Sequence, residues 1–129
     1  MRDIYNDVGF SQSFAPAARN ASANGTGVGL NGFEGAVAVI GVGAWTDGTH
    51  TFDIQDSDDN STFASVAAGL LQGTKPVVSS AGTASKTYKV GYLGRKPYLR
   101  VAVTVAGATT GAVYGASVLL GHAATKPVA

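Results

Sequence analysis

The chain has 129 residues, a net charge of +1 and no cysteine, and this length fits one domain with a single sizeable core. The lack of cysteine excludes disulfides, thiolate metal sites and cysteine catalysis, and it suits a reducing compartment. The near-neutral charge argues against nucleic acid and anionic membranes as partners. Eighteen glycines set among Val, Thr and Tyr favour short strands and tight turns, so the composition predicts an all-β protein.

Residues 1–32 are predicted to form an extended N-terminal arm, because they are rich in Asn, Ser, Ala and Gly and show no periodicity. The apolar side chains of this arm are too many for a solvated tail and too irregularly spaced for a helix face. Either the chain's own sheet or a neighbouring subunit could cover them. The arm therefore contributes four candidate partner-binding residues, which are Ile4, Tyr5, Phe10 and Phe14.

Residues 33–129 are predicted to form the globular domain, and their first half contains three strands. Residues 36–42 form an apolar run bounded by glycines, which indicates a strand buried on both faces. Residues 50–57 alternate as a half-exposed strand does, a turn follows at 58–60, and residues 62–66 resume the alternation. The segment 50–66 is therefore a candidate hairpin.

The second half of the domain contains four further predicted strands, at residues 75–78, 87–92, 98–105 and 112–120. The third of these has the clearest pattern, since Leu99, Val101, Val103 and Val105 share one face and would point to a core. About seven short strands separated by frequent turns predict a compact antiparallel β-sandwich, of jelly-roll or immunoglobulin-like type.

Few residues could support catalysis. The two histidines, His50 and His122, stand apart in the sequence, and we expect each to be solvated or to cap a turn. No Gly-x-Ser-x-Gly motif provides a nucleophile. The sequence thus predicts no enzyme activity and no cofactor.

One acidic segment is similar to the start of a calcium loop, because Asp56, Asp58 and Asn60 occupy the first three ligand positions. Ser61 stands where the sharp turn needs glycine, and Ala67 stands where a glutamate should close the site. We therefore predict a plain hairpin turn with local Asx hydrogen bonds and no metal site.

Charge is divided along the chain, with acids concentrated in residues 47–59 and bases in residues 86–100. The two clusters could pair within the sheet, or one could contact a second copy or a larger partner. Arg95 and Lys96 lie on a predicted turn, where side chains reach outward, and are the remaining candidate partner-binding residues.

The first ten residues lack the pattern of a secretory signal, and no apolar run reaches the roughly 20 residues needed to cross a bilayer. The sequence therefore predicts a soluble intracellular product with no membrane partner.

Segments 45–63, 89–101 and 107–122 resemble small virion proteins of tailed bacteriophages that are encoded near the major capsid protein, and the resemblance covers about residues 33–127. It implies a structural protein, namely a decoration or cement protein on the outside of the capsid. The expected partners are the major capsid protein and further copies of the chain, as a trimer or dimer. The expected location is the virion surface, after synthesis in the bacterial cytoplasm.

Two other functions stay open. One is a head–tail connector or tail component of the virion, which would form rings. The other is a carbohydrate-binding sandwich, in which Trp45, Tyr88 and Tyr92 would be the stacking residues, although packing in or around the core is the more ordinary role for such rings.

Overall fold

The computed structural model describes residues 3–123, where regular structure is almost entirely β apart from two single 3-10 turns at Ala68–Leu70 and Ala81–Thr83. The strands are β1 (Gly9–Arg19), β2 (Ala23–Asn24), β3 (Val28–Gly29), β4 (Phe33–Trp45), β5 (Thr49–Ser57), β6 (Ala64–Ser65), β7 (Leu71–Gln72), β8 (Val77–Val78), β9 (Thr87–Tyr92), β10 (Tyr98–Ala106) and β11 (Ala112–Ala123).

These strands form two antiparallel sheets that pack face to face. The five-stranded sheet has the order β1-β11-β4-β9-β7, and the six-stranded sheet has the order β2-β10-β5-β6, with β3 also on β10 and β8 also on β5. The predicted all-β antiparallel sandwich is confirmed. The strand number is higher than predicted, because β1, β2, β3 and β7 were missed. Three of these have only two residues, too few to show an alternation.

The core lies between the sheets and is formed by alternate residues of the long strands. In β10, Leu99, Val101 and Val103 are at most 3% exposed, as their alternation predicts. Val105, near the end of the strand, is only partly buried. Strand β4 was predicted to be buried on both faces, but only its inward face is buried. Its inward residues, among them Ile40, are buried, whereas the outward ones are half exposed because the outer face of this sheet carries no second layer within residues 3–123.

Most of the predicted arm lies on the sandwich itself. Strand β1 pairs antiparallel with β11 from Gly9 to Arg19, with two register shifts. The Ser13 hydroxyl donates to the Thr26 carbonyl and accepts from the Val101 amide, so β1 is also tied to the second sheet. The arm was expected to pack either on the chain's own sheet or on a neighbouring subunit. Its strands β1 to β3 pack within the chain's own sheets.

This arrangement corrects the prediction that Phe14 binds a partner. Its side chain is 3% exposed and belongs to the hydrophobic core. A register shift in β1 lies next to it, so Ser13 and Phe14 are both buried despite being neighbours. A buried side chain does not reach a partner, and Phe14 is removed from the candidate partner-binding residues.

One of the two roles expected for His50, a solvated side chain, is wrong, since the structure buries it completely. The other role, capping a turn, agrees with its hydrogen bond to the Asp47 carbonyl at the bend before β5. It shares the inward face of β5 with Phe52, and its ring contacts the Tyr114 ring of the opposite sheet at 5.3 Å. Nε2 lies 3.1 Å from the Asp47 carbonyl, which can only accept, so Nε2 carries the proton. In the neutral imidazole, Nδ1 then accepts from the Tyr114 hydroxyl at 3.0 Å.

Two phenylalanines of β1 allow a matched test of this account. We expect Phe14→Ala to lower the free energy of unfolding by about 3–5 kcal/mol, because it leaves a cavity in the core. Phe10→Ala changes a side chain that is 64% exposed and should cost about 1 kcal/mol or less. Urea unfolding of dilute protein, followed by circular dichroism, measures both. Similar losses for the two variants would contradict the position given to β1.

Candidate binding surface

The remaining predicted partner-binding residues are all exposed. Ile4, Tyr5 and Phe10 are 68%, 82% and 64% exposed, respectively. Arg95 and Lys96 are exposed on the connection between β9 and β10. Their role in binding stays a prediction.

The segment before β1 is an ordered turn. The Asp7 amide donates to the Ile4 carbonyl at 3.1 Å, and the Asp3 carboxylate accepts from the amides of Tyr5 and Asn6. The Asn6 side chain donates to the same carboxylate at 2.8 Å, and this bond is the main reason why the pKa of Asp3 lies below its usual value. We call residues 3–7 the acidic turn. It holds Tyr5 outward at its tip.

An apolar stripe crosses the outer face of the five-stranded sheet. Phe10 of β1 is opposite Leu119 of β11, Leu119 is opposite Val37 of β4, and Val37 is opposite Gly91 of β9. Residues directly opposite each other in a sheet project from the same face. The stripe therefore places the exposed Phe10 beside the partly exposed Leu119 and Val37 on three neighbouring strands.

The stripe borders a cavity of about 370 Å³, which we call the apolar recess. Apolar side chains and glycines dominate its lining, while Glu34, Gln72 and His122 add polar groups. The lining residues used below are Val8, Val37, Leu119 and Gly121. Leu93, 53% exposed, also lines it.

Arg95 and Lys96 form what we call the basic corner. They line a second cavity, of about 250 Å³, together with Glu34. Lys96 Nζ lies 3.5 Å from Asp58 Oδ2, and both side chains are substantially exposed. Within residues 3–123, no carboxylate lies within ion-pair distance of Arg95. The two charge clusters thus meet within the chain at one exposed pair, which leaves Arg95 available.

The acidic segment at 56–60 is used locally. Asp56, expected at a turn, lies at the buried end of β5, where its carboxylate accepts from the Tyr92 hydroxyl at 2.8 Å. Asp59 forms the Asx-type turn, since Oδ1 accepts from the amides of Ser61 and Thr62. These amides are the main reason why the pKa of Asp59 is lowered. Among residues 3–123, no three His, Asp or Glu side chains are grouped so as to hold a metal ion.

The three aromatic residues considered for carbohydrate stacking pack in or around the core. Tyr92 is 6% exposed, and Trp45 and Tyr88 are partly buried against the core. Trp45 Nε1 donates to the Gly48 carbonyl at 2.9 Å, and the Tyr88 hydroxyl donates to the Thr83 carbonyl at 2.7 Å.

Sequence reasoning did not find the apolar recess. Its lining comes from the segment before β1 and from β4, β7, β9 and β11, which are distant in sequence and meet only through the strand order of the sheet. A usable signal was present in β4 and β11, where glycines recur among outward-facing positions such as Gly35 and Gly121.

No protein-family model matches this sequence, and no curated protein matches it either. In the part of the chain from residue 3 to residue 123, no helix has the length and apolar character needed to cross a membrane.

Tyr92 is buried and lines the same cavity as the basic corner, and its ionisation should make the stability of the protein depend on pH. Burial, and then the hydrogen bond to Asp56, raise the pKa of Tyr92 from 10.0 to about 12. An unfolded tyrosine ionises first, so this contribution to stability is complete below pH 10 and is lost between pH 10 and about 12. The stability difference between wild type and Tyr92→Phe should therefore shrink over that range in urea unfolding. Parallel pH profiles for the two proteins would contradict this.

Proposed function

We propose that the protein is a structural component of a tailed-phage virion that binds the outside of the capsid as a decoration or cement protein. The partner in this proposal is the major capsid protein, and the protein would reach the capsid surface after synthesis in the bacterial cytoplasm. The resemblance of residues 33–127 to small virion proteins supports this proposal, as does the antiparallel β-sandwich fold. Repeated weak contacts on a symmetric lattice then add to firm attachment.

The observation that carries the proposal is the exposed basic corner. The chain has a net charge of only +1, so any electrostatic choice of partner or orientation acts through local clusters. Arg95 has no carboxylate partner within residues 3–123 and stands beside a cavity open to an incoming side chain. An acidic surface on a capsid lattice would fit this corner.

Two other functions are less well supported. A head–tail connector or tail component could use the same corner, and the position of the protein in the particle distinguishes it from a decoration protein. A carbohydrate-binding module needs exposed aromatic faces, whereas Trp45, Tyr88 and Tyr92 pack in or around the core.

The basic corner can be tested by charge reversal. We expect Arg95→Glu combined with Lys96→Glu to lower occupancy on purified capsids and to leave the melting temperature within a few degrees, because exposed substitutions change stability by about 0.5 kcal/mol. Lys86→Glu is the matched control, since Lys86 is also exposed but lies outside this corner. Wild-type occupancy should fall as salt rises. Occupancy measured by gel densitometry of capsid pellets provides the readout.

The alternative, in which the acidic and basic clusters pair only within the chain, makes the opposite prediction. If Lys96 serves mainly to hold Asp58, the double reversal leaves occupancy unchanged and lowers stability, and Asp58→Lys restores that stability. Unchanged occupancy for the double reversal would refute the proposed role of the basic corner.

A further inference from the structure

The acidic turn presents an exposed aromatic ring on a backbone that local hydrogen bonds hold in place. Its backbone is held by the Asp7–Ile4 hydrogen bond and by the Asp3 carboxylate, while the Tyr5 side chain remains 82% exposed at the tip. Ordering such a side chain on binding costs little, because its backbone is already fixed. Exposed, preorganised tyrosines of this kind are frequent anchors in protein interfaces.

The apolar recess lies at the same end of the molecule. Val8 lines it and follows Tyr5 by three residues, a length of chain that spans at most about 11 Å. Leu119 and Val37 supply apolar side chains, and Gly121 leaves part of the recess without one. A cavity of about 370 Å³ is within the range that buries small ligands or single side chains.

We propose that this face is a two-fold interface between copies of the chain, in which Tyr5 and Ile4 of each copy enter the apolar recess of the other. A two-fold contact uses the same patch on both copies, so the patch must contain both the projection and its complement. The acidic turn and the apolar recess meet this requirement, because Val8, the residue that directly follows the acidic turn, lines the recess.

Charge complementarity selects a second copy of the chain as the occupant. Asp3 precedes Tyr5 by two residues, and an exposed lysine, Lys89, lines a cavity that shares Val37 and Gln72 with the apolar recess. Glu34 also lines the recess. The approach that brings Asp3 toward Lys89 and away from Glu34 is therefore favoured, which fixes the orientation of the entering turn. An anionic partner such as nucleic acid would be repelled by Asp3 and Glu34.

This inference goes beyond the proposed function and does not depend on it. The interface forms from one kind of chain, so it is tested on the isolated protein without capsids. A failure here leaves the capsid experiment unaffected, and a failure there leaves this one unaffected.

Sedimentation velocity of the full chain over a range of concentrations tests the interface. Tyr5→Ala removes the projection, and Gly121→Val fills the recess. We expect the wild type to form a dimer and each variant to raise its dissociation constant about tenfold or more. Gly41→Val is the matched control, because a Cβ at either glycine meets no atom within 4 Å and Gly41 lies outside the recess.

A second measurement locates the contact directly. The native chain has no cysteine, so cross-links through introduced thiols have no background. Mixing an Ile4→Cys chain with a tagged Gly121→Cys chain should give an oxidised heterodimer, whereas a Gly41→Cys partner should not.

The proposal is overturned by a wild type that stays monomeric, by an assembly of any size other than two, or by Tyr5→Ala and Gly121→Val dimerising as the wild type does. Equal cross-linking at positions 121 and 41 also overturns it. If Gly121→Val does not fold, Tyr5→Ala decides the question, because Tyr5 is exposed and outside the core.

Discussion

The packing of Tyr114 against Phe52 and His50 joins the two sheets through three of the largest fully buried side chains, and the register of β5 and β11 depends on it. Tyr114 comes from β11, inside the five-stranded sheet, and the other two come from β5 of the opposite sheet. The Tyr114 and Phe52 rings meet edge to face at 4.9 Å, and the Tyr114 hydroxyl satisfies the buried His50. A shift of one residue in either strand would turn these side chains outward, so this contact also fixes the strand register.

Period-two alternation allowed β5 and β10 to be predicted, because each strand has one buried face. It failed for β1, whose two register shifts bury Ser13 and Phe14 in succession and therefore show no regular alternation. It also misled in β4, where apolar residues continue on the uncovered outer face. For His50, residue type suggested a solvated role, but its position on the inward face of β5 determines its burial.

The candidate surface was predictable only in part. The exposure of Arg95 and Lys96 was predicted, because they lie between two predicted strands, whereas the acidic turn was not, because residues 1–32 were predicted to form an extended arm. The apolar recess was not predicted either, because Val8, Val37, Leu93 and Leu119 come together only through long-range pairing of β1, β11, β4 and β9. The cavity beside the basic corner shares Glu34 and Tyr92 with the apolar recess, so one end of the sandwich combines residues recognisable in the sequence with a recess that depends on the whole topology.

Electron cryo-microscopy of purified phage heads that contain the protein tests this account most directly. The account predicts the sandwich on the outer capsid surface, with Arg95 and Lys96 facing the lattice and the acidic turn against a second copy. Finding the protein only in the tail, or finding the basic corner directed to solvent on the capsid, would contradict it.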